Sequence, residues 1–128
     1  MRFLFILGPY RPGQCGISDY VRLLSDRLES MGHECKMLTI NSKSGQTLEK
    51  TAESLPQCDV VSLQFAPYAF HPKGLPGKGL QSLAKALAGR QLQIMFHEIW
   101  IGAYPQATLR ERWIGRRQRR QILRFLQT

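Results

Sequence analysis

The sequence predicts an α/β fold of the Rossmann-like, doubly wound kind, in which helices flank a mainly parallel sheet of about four strands. Two observations predict it. Apolar runs typical of buried strands alternate with segments whose apolar residues recur every three or four positions, as on one helix face. Strands that alternate with helices indicate a parallel sheet with right-handed crossovers. The length of 128 residues suits one domain.

The front of the chain is predicted to form a strand, a turn and a helix. Residues 3–7 are continuously apolar, which is typical of a strand buried on both faces of a sheet. After the turn "QCGISDY", Ser18 is the expected N-cap of a helix that Gly32 ends. The apolar face of this helix comprises Ile17, Tyr20, Val21, Leu24, Leu28 and Met31.

The rest of the chain continues the alternation. The further predicted strands are residues 34–40, 59–65 and 92–100. The further predicted helices are residues 45–56, 80–89 and 105–128, the last with an interruption expected at Gly115. Residues 66–79 are rich in proline, glycine and aromatic residues and are predicted to be a loop.

Composition and charge narrow the class of protein. No apolar run approaches the roughly 20 residues of a membrane-spanning helix, and the N-terminus lacks a signal-peptide cleavage pattern. Three widely spaced cysteines argue against a disulfide framework or a zinc site and favour a reducing cytoplasm. The net charge of +9 falls entirely in residues 65–128, mostly in an arginine-rich C-terminal segment.

The glycine turn is the first candidate site. Ligands of parallel α/β sheets bind beyond the carboxyl ends of the strands, where this turn lies. Gly16 has no Cβ, and the amides of Gly16, Ile17 and Ser18 would stand at the exposed start of a helix, which favours phosphate. The alternative is a plain strand-to-helix connection. The turn matches neither GxGxxG nor a Walker loop, so nothing indicates an NAD site.

Polar residues follow two later strands at the same predicted edge. His97 and Glu98 come directly after an apolar strand and could contact sugar hydroxyls or exchange a proton, with Trp100 close by. Gln64 is expected to face inward near a strand end, where an amide needs a partner, and Tyr68 could border a sugar or acceptor pocket. The alternatives are a structural histidine and a loop that packs on its own rings.

The C-terminal segment predicts a basic amphipathic helix. Its arginines on one side are Arg116, Arg117, Arg120 and Arg124. Such a helix can lie on an anionic membrane or contact nucleic-acid phosphate, or its arginines can simply be solvated while its apolar face packs on the sheet. Nucleic acid is the less favoured partner because no binding motif accompanies the arginines. No metal-ligand spacing and no catalytic triad is present.

Three segments together resemble the N-terminal domain of family 4 glycosyltransferases, which have the two-domain GT-B fold. They are "RPGQCGISDYVRLLSDRLESMGHEC", "DVVSLQFAPYAF" and "QIMFHEIW". The resemblance runs from Arg2 to about Trp100, could extend to Gln127, and has the segments in the family's order. One departure is Cys15, which replaces the first glycine of the commoner pair. A larger one is the absence of the nucleotide-binding half with its paired glutamates.

The resemblance implies specific roles. Gly16 and Ile17 would approach the donor phosphates, and His97 would lie by the transferred sugar. The donor would be a UDP- or GDP-linked sugar, the acceptor a glycan or a lipid-linked glycan, and no further cofactor would be needed. The arginine-rich helix could contact a lipid acceptor or the inner membrane surface.

The resulting hypothesis is that residues 1–128 are the acceptor-side domain of a retaining glycosyltransferase, truncated and inactive without its C-terminal domain. Gln64, Tyr68, Glu98 and Trp100 are then candidate substrate contacts. Two alternatives stay open: a non-catalytic α/β module that binds a phosphorylated ligand, and a basic adaptor that binds membranes or nucleic acid through its arginine-rich helix.

Overall fold

The computed structural model describes all residues, Met1–Thr128, and shows a four-stranded, fully parallel sheet in the order β2-β1-β3-β4. The strands are β1 (Arg2–Leu7), β2 (Glu34–Thr39), β3 (Val60–Phe65) and β4 (Gln91–Phe96). The helices are α1 (Gly16–Ser30), α2 (Leu48–Glu53), α3 (Pro67–Phe70), α4 (Gly77–Leu87) and α5 (Leu109–Leu126). This arrangement confirms the predicted fold class.

Helices cover both faces of the sheet, as the doubly wound pattern requires. On one face, Phe5 and Leu7 of β1 pack with Val21 of α1 in a small apolar cluster. On the other face, a larger cluster joins alternate residues of β1 and β3 to α2, α3, α4 and α5. The alternation arises because successive side chains of a strand point to opposite faces, so a central strand must be apolar on both.

The side of the sheet on which successive strands are added changes at β1. The chain passes from β1 to β2 on one side and then returns to place β3 on the other side. The loops that follow β1 and β3 therefore diverge above the sheet, and a crevice forms at the carboxyl ends of these strands. Gly8 and Ala69 meet at its base, where a Cβ on Gly8 would lie 2.5 Å from the Ala69 Cβ.

The predicted N-cap of α1 is wrong. Cys15 occupies the N-cap position with extended backbone dihedrals, and the helix begins at Gly16. Ser18 is fully buried inside the first turn, where its Oγ accepts a hydrogen bond from the Arg11 N–H at 2.8 Å and lies 3.4 Å from the Pro9 carbonyl oxygen. The hydroxyl therefore fastens the preceding loop to the helix instead of capping it.

Several other boundaries also differ from the sequence prediction, including those of α2 and of β4, which ends at Phe96 rather than Trp100. Residues 67–70 form a short helix within the predicted loop, and α4 begins at Gly77. The last helix begins at Leu109, where Thr108 and Glu111 form a capping box, and it continues through Gly115 without interruption. Gly115 is instead a contact point, since a Cβ there would lie 1.8 Å from the Ile101 carbonyl oxygen.

Candidate functional site

A cleft of about 540 Å³ opens at the carboxyl ends of β1, β2 and β3. The loops after these strands and the first turn of α1 form its walls. Its lining residues are Leu7, Gly8, Pro9, Arg11, Gln14, Cys15, Ile17, Asn41, Ser42, Lys43, Tyr68, Ala69 and Pro72. The cleft therefore lies at the switch point of the sheet, the usual place for a ligand in this fold.

The first turn of α1 borders this cleft through Ile17, and the preceding Gly16 has an exposed backbone donor. The N–H groups of Gly16, Ile17 and Ser18 make no hydrogen bond with any oxygen of the protein. Those of Ser18 and Ile17 favour the Cys15 thiolate, which holds the pKa of that thiol below its ordinary value of 9.0. Gly16 is exposed, with no atom within 4 Å of the position of a Cβ. Gly16 can therefore present its N–H to an anion from solvent, whereas the N–H of the buried Ser18 faces the Cys15 sulfur.

Two exposed cations stand in the same cleft. Arg11 follows β1 and Lys43 follows β2, and neither forms an ion pair. Tyr68 of α3 also lines the cleft, with 44% of its surface exposed. Cations and amides suit the oxygens of a phosphate, and an exposed phenol ring suits an apolar sugar face. Sequence reasoning missed both cations, although each follows the carboxyl end of a strand, which is the available signal.

Gln64 and His97 form a direct pair at the carboxyl ends of β3 and β4, outside the lining of the cleft. Gln64 is 1% exposed on β3, and its Oε1 lies 2.8 Å from His97 Nε2. The His97 N–H donates to the Phe65 carbonyl oxygen at 3.0 Å, which continues the hydrogen bonding between β3 and β4 by one residue. The buried amide thus has the partner that its position predicted.

The surroundings of His97 favour its neutral form. Burial lowers its pKa below the ordinary value of 6.5, and the nearby Glu98 carboxylate opposes that shift more weakly. The ring of Tyr20, one turn into α1, lies edge-on at a centroid distance of 5.7 Å. Nδ1 of His97 has no hydrogen-bond partner in the protein. A neutral imidazole with a free nitrogen can accept a proton or a hydroxyl hydrogen bond.

The depressed pKa predicts how His97 responds to pH. Between pH 6.5 and the lower pKa of the folded protein, His97 is protonated in the unfolded chain but neutral in the folded chain. The free energy of unfolding therefore decreases as the pH falls from 6.5 through the folded pKa. An NMR titration of the His97 ring protons should give a midpoint below 6.5 in the native protein and near 6.5 in urea. A native midpoint at or above 6.5 would contradict the expected effect of burial.

Glu98 and Trp100 do not line the cleft. Glu98 is exposed just beyond β4. Trp100 lines a different cavity of about 490 Å³, between the loop of residues 100–105 and α5. Its ring lies 5.8 Å from the guanidinium carbon of Arg119, in cation–π contact. The structure therefore brings Ile17 with Tyr68, and Gln64 with His97, while Trp100 belongs with the arginine-rich helix.

The predicted arginine face of α5 divides into two rows. Arg117, Arg120 and Arg124 line a polar cavity of about 340 Å³ against Lys78 of α4. Arg116 lies on the other row, which faces the cavity of Trp100. The remaining arginines of that row are Arg112 and Arg119. None of the arginines on α5 forms an ion pair, so the helix keeps its positive charge.

The apolar side of α5 packs against α4 and joins the larger apolar cluster. Ile122 and Phe125 are 3% and 5% exposed within the larger apolar cluster. No helix has the length and apolar character needed to cross a bilayer. No group of three or more His, Cys, Asp or Glu side chains could hold a metal ion.

The fold and the cleft define a Rossmann-like α/β domain with a polar, cation-bearing crevice at the switch point of its sheet. Comparisons with protein-family models, curated proteins and solved structures give no match to this chain. The site geometry and the residues themselves therefore carry the functional argument.

Proposed function

We propose that this chain is the acceptor-side domain of a retaining glycosyltransferase, which moves a sugar from a UDP- or GDP-linked donor to a glycan or lipid-linked acceptor. The carrying observation is the cleft at the switch point of the sheet. There Ile17 of the first turn of α1, preceded by the exposed and unpaired N–H of Gly16, lies with two unpaired cations and an exposed tyrosine. A donor diphosphate needs the first two features, and a sugar ring suits the third.

His97 supplies the second support for the proposal. Its imidazole is anchored through Nε2 to a buried amide, and its Nδ1 is free. Tyr20 joins the two parts of the site, because it contacts His97 one helical turn after Gly16. Under this proposal His97 contacts the transferred sugar, and the Glu98 carboxylate accepts hydrogen bonds from the hydroxyl groups of that sugar. Trp100 and the two rows of arginines on α5 would serve the acceptor or an anionic membrane surface.

Sugar transfer itself needs a second domain in this proposal. Most of a nucleotide-sugar would be held by a C-terminal domain, so the chain alone binds the donor weakly and transfers nothing. The three cysteines are unpaired, which supports a reducing cytoplasm as the compartment. A peripheral position at the inner membrane surface is part of the same proposal and rests on the unpaired arginines of α5.

Removing the backbone N–H of Gly16 tests the proposed phosphate contact most directly in this chain. Gly16→Pro removes one N–H at the first helical position, where proline is well tolerated, and Cys15 before it already has the extended backbone that proline requires. UDP, GDP, UDP-glucose and GDP-mannose are titrated into ¹⁵N-labelled protein at low salt. We expect shifts of the amides at residues 15–18 and about fivefold weaker binding in Gly16→Pro.

The matched control is Gly16→Ala, which keeps the N–H and adds a methyl group in open space. Equal binding by wild type and Gly16→Pro, or shifts that avoid residues 15–18, would contradict the proposed phosphate contact. Inorganic pyrophosphate is titrated in parallel. If it binds as tightly as the nucleotide-sugars, the chain fits a module for phosphorylated ligands in general, and the glycosyltransferase proposal loses its support.

A further inference from the structure

Four side chains form a continuous hydrogen-bonded chain from the sheet edge to His97. Ser62 Oγ donates to Gln93 Oε1 at 2.5 Å, and Gln64 Nε2 donates to Ser62 Oγ at 2.8 Å. Gln64 Oε1 then lies 2.8 Å from His97 Nε2. Ser62 and Gln64 are 4% and 1% exposed, while Gln93 on the edge strand is exposed. This chain of hydrogen bonds thus begins at a solvent-exposed side chain and ends at His97 of the candidate site.

The register of the sheet produces this chain. β3 and β4 are parallel, and Ser62 lies directly opposite Gln93. Gln64 is two residues along β3, so it shares a face of the sheet with Ser62. His97 follows the end of β4, and its backbone N–H is still bonded to β3. Polar residues on an otherwise apolar central strand are costly unless each finds a partner, and here each one does.

In the structure this chain runs in one direction: the Gln64 nitrogen, which only donates, lies on Ser62, and the Gln64 oxygen, which only accepts, lies on His97. The Gln64 nitrogen is committed to Ser62, so its oxygen faces His97. An oxygen acceptor requires that His97 Nε2 carry the proton. In the neutral ring, Nδ1 is then the nitrogen with the lone pair.

We infer that Ser62, Gln64 and Gln93 are positioning residues that hold His97 as the Nε2–H tautomer and keep its Nδ1 available as an acceptor. The tautomer is a property of this fold alone. Its use, in accepting a hydrogen bond or a proton from a sugar hydroxyl, rests on the proposed function. Failure of donor binding would remove that use and leave the tautomer assignment untouched.

The same four groups can also bond in the opposite direction. A donor at position 93 would point to Ser62, the serine hydroxyl would donate to the Gln64 oxygen, and the Gln64 nitrogen would donate to His97 Nε2. His97 would then be protonated on Nδ1. A residue at position 93 that can only accept or only donate would therefore select the direction, and a substitution there can reach His97 without touching the core.

The test compares Gln93→Glu with Gln93→Lys in the full chain. A carboxylate can only accept and preserves the direction, whereas an ammonium can only donate and reverses it. Long-range ¹H–¹⁵N spectra at pH 8 report which ring nitrogen of His97 is protonated. We expect the Nε2–H form in wild type and Gln93→Glu, and a shift of at least fivefold toward Nδ1–H in Gln93→Lys.

Ser62→Ala provides a second test. It removes the hydroxyl that accepts from the Gln64 nitrogen, so the Gln64 amide can flip and exchange its oxygen and nitrogen. The tautomer ratio should fall about fivefold in this variant. A free imidazole already favours the Nε2–H form, so the variants decide the outcome. Nδ1–H in wild type, or the same ratio within twofold in all four proteins, would overturn the inference. A response to Ser62→Ala alone would remove Gln93 from the positioning set.

Discussion

Gly115→Ala is expected to lower the free energy of unfolding by about 3 kcal/mol and the melting temperature by on the order of 10 °C. An added Cβ would lie 1.8 Å from the carbonyl oxygen of Ile101 and 2.9 Å from its carbonyl carbon. Both atoms belong to backbone, so no side chain can turn away to make room. Either α5 or the segment after β4 must move, and the apolar contacts of Ile122 and Phe125 would be disturbed.

Gly16→Ala is the matched control for this prediction. Gly16 also lies in a helix, but no atom lies within 4 Å of its Cβ position. Its replacement should leave stability unchanged or raise it by less than about 1 kcal/mol, because alanine loses less backbone entropy on folding. Thermal and urea unfolding measured by circular dichroism compare the two variants. Equal effects of the two substitutions would show that the close approach at Gly115 does not govern stability.

Gln118→Met is expected to lower the free energy of unfolding by roughly 2–4 kcal/mol. Gln118 is 1% exposed on α5, and its amide joins two loops. Its Oε1 accepts from the Ile101 N–H at 3.0 Å, and its Nε2 donates to the Gly74 carbonyl oxygen at 2.9 Å. Methionine fills a similar volume but leaves a half-buried donor, the Ile101 N–H, and a buried acceptor, the Gly74 carbonyl, without partners.

The control for Gln118 is three residues along the same helix. The Oε1 of Gln121 is buried and has no hydrogen-bond partner, so Gln121→Met removes an unsatisfied group. We expect this variant to be as stable as wild type or slightly more stable. Urea unfolding curves distinguish the two substitutions. A Gln121→Met variant that is destabilised as much as Gln118→Met would indicate lost packing rather than lost hydrogen bonds.

These two contacts bear on function because they fix the segment after β4. Gly115 and Gln118 both hold Ile101, which directly follows Trp100 and lies four residues beyond His97. The arginine-rich helix α5 therefore also has a structural role, which is to hold the segment after β4 in place. In Gln118→Met we expect the NMR signals of residues 98–105 to change before those of the glycine turn, since the turn is held separately by the Ser18 hydroxyl.

The periodicity of the sequence was sufficient to predict the fold class. A run such as residues 3–7 has few alternatives to a buried strand, and the apolar spacing from Ile17 to Met31 matches only a helix. These signals are local, so a single sequence contains them. The prediction of a partner for Gln64 was also correct, since a buried amide without one is costly.

Predictions that depended on exact local geometry were less successful. Ser18 has the side chain of an N-cap, yet its hydroxyl bonds to the loop seven residues earlier. Gly115 has the propensity of a helix breaker, yet it lies within α5 and allows another segment to approach. In both cases a tertiary contact outweighed a local preference of about 1 kcal/mol.

The sequence by itself determined the alternation of strands and helices, the position of the polar loops at one edge of the sheet and the concentration of charge in the last helix. Only the tertiary structure decided that Gln64 pairs with His97, that Trp100 joins the arginines of α5 and that Gln93 reaches His97 through Ser62. These partners are 19 to 33 residues apart along the chain, apart from the two-residue step within β3. Strand register and helix crossing set their distances, and no local pattern encodes either one.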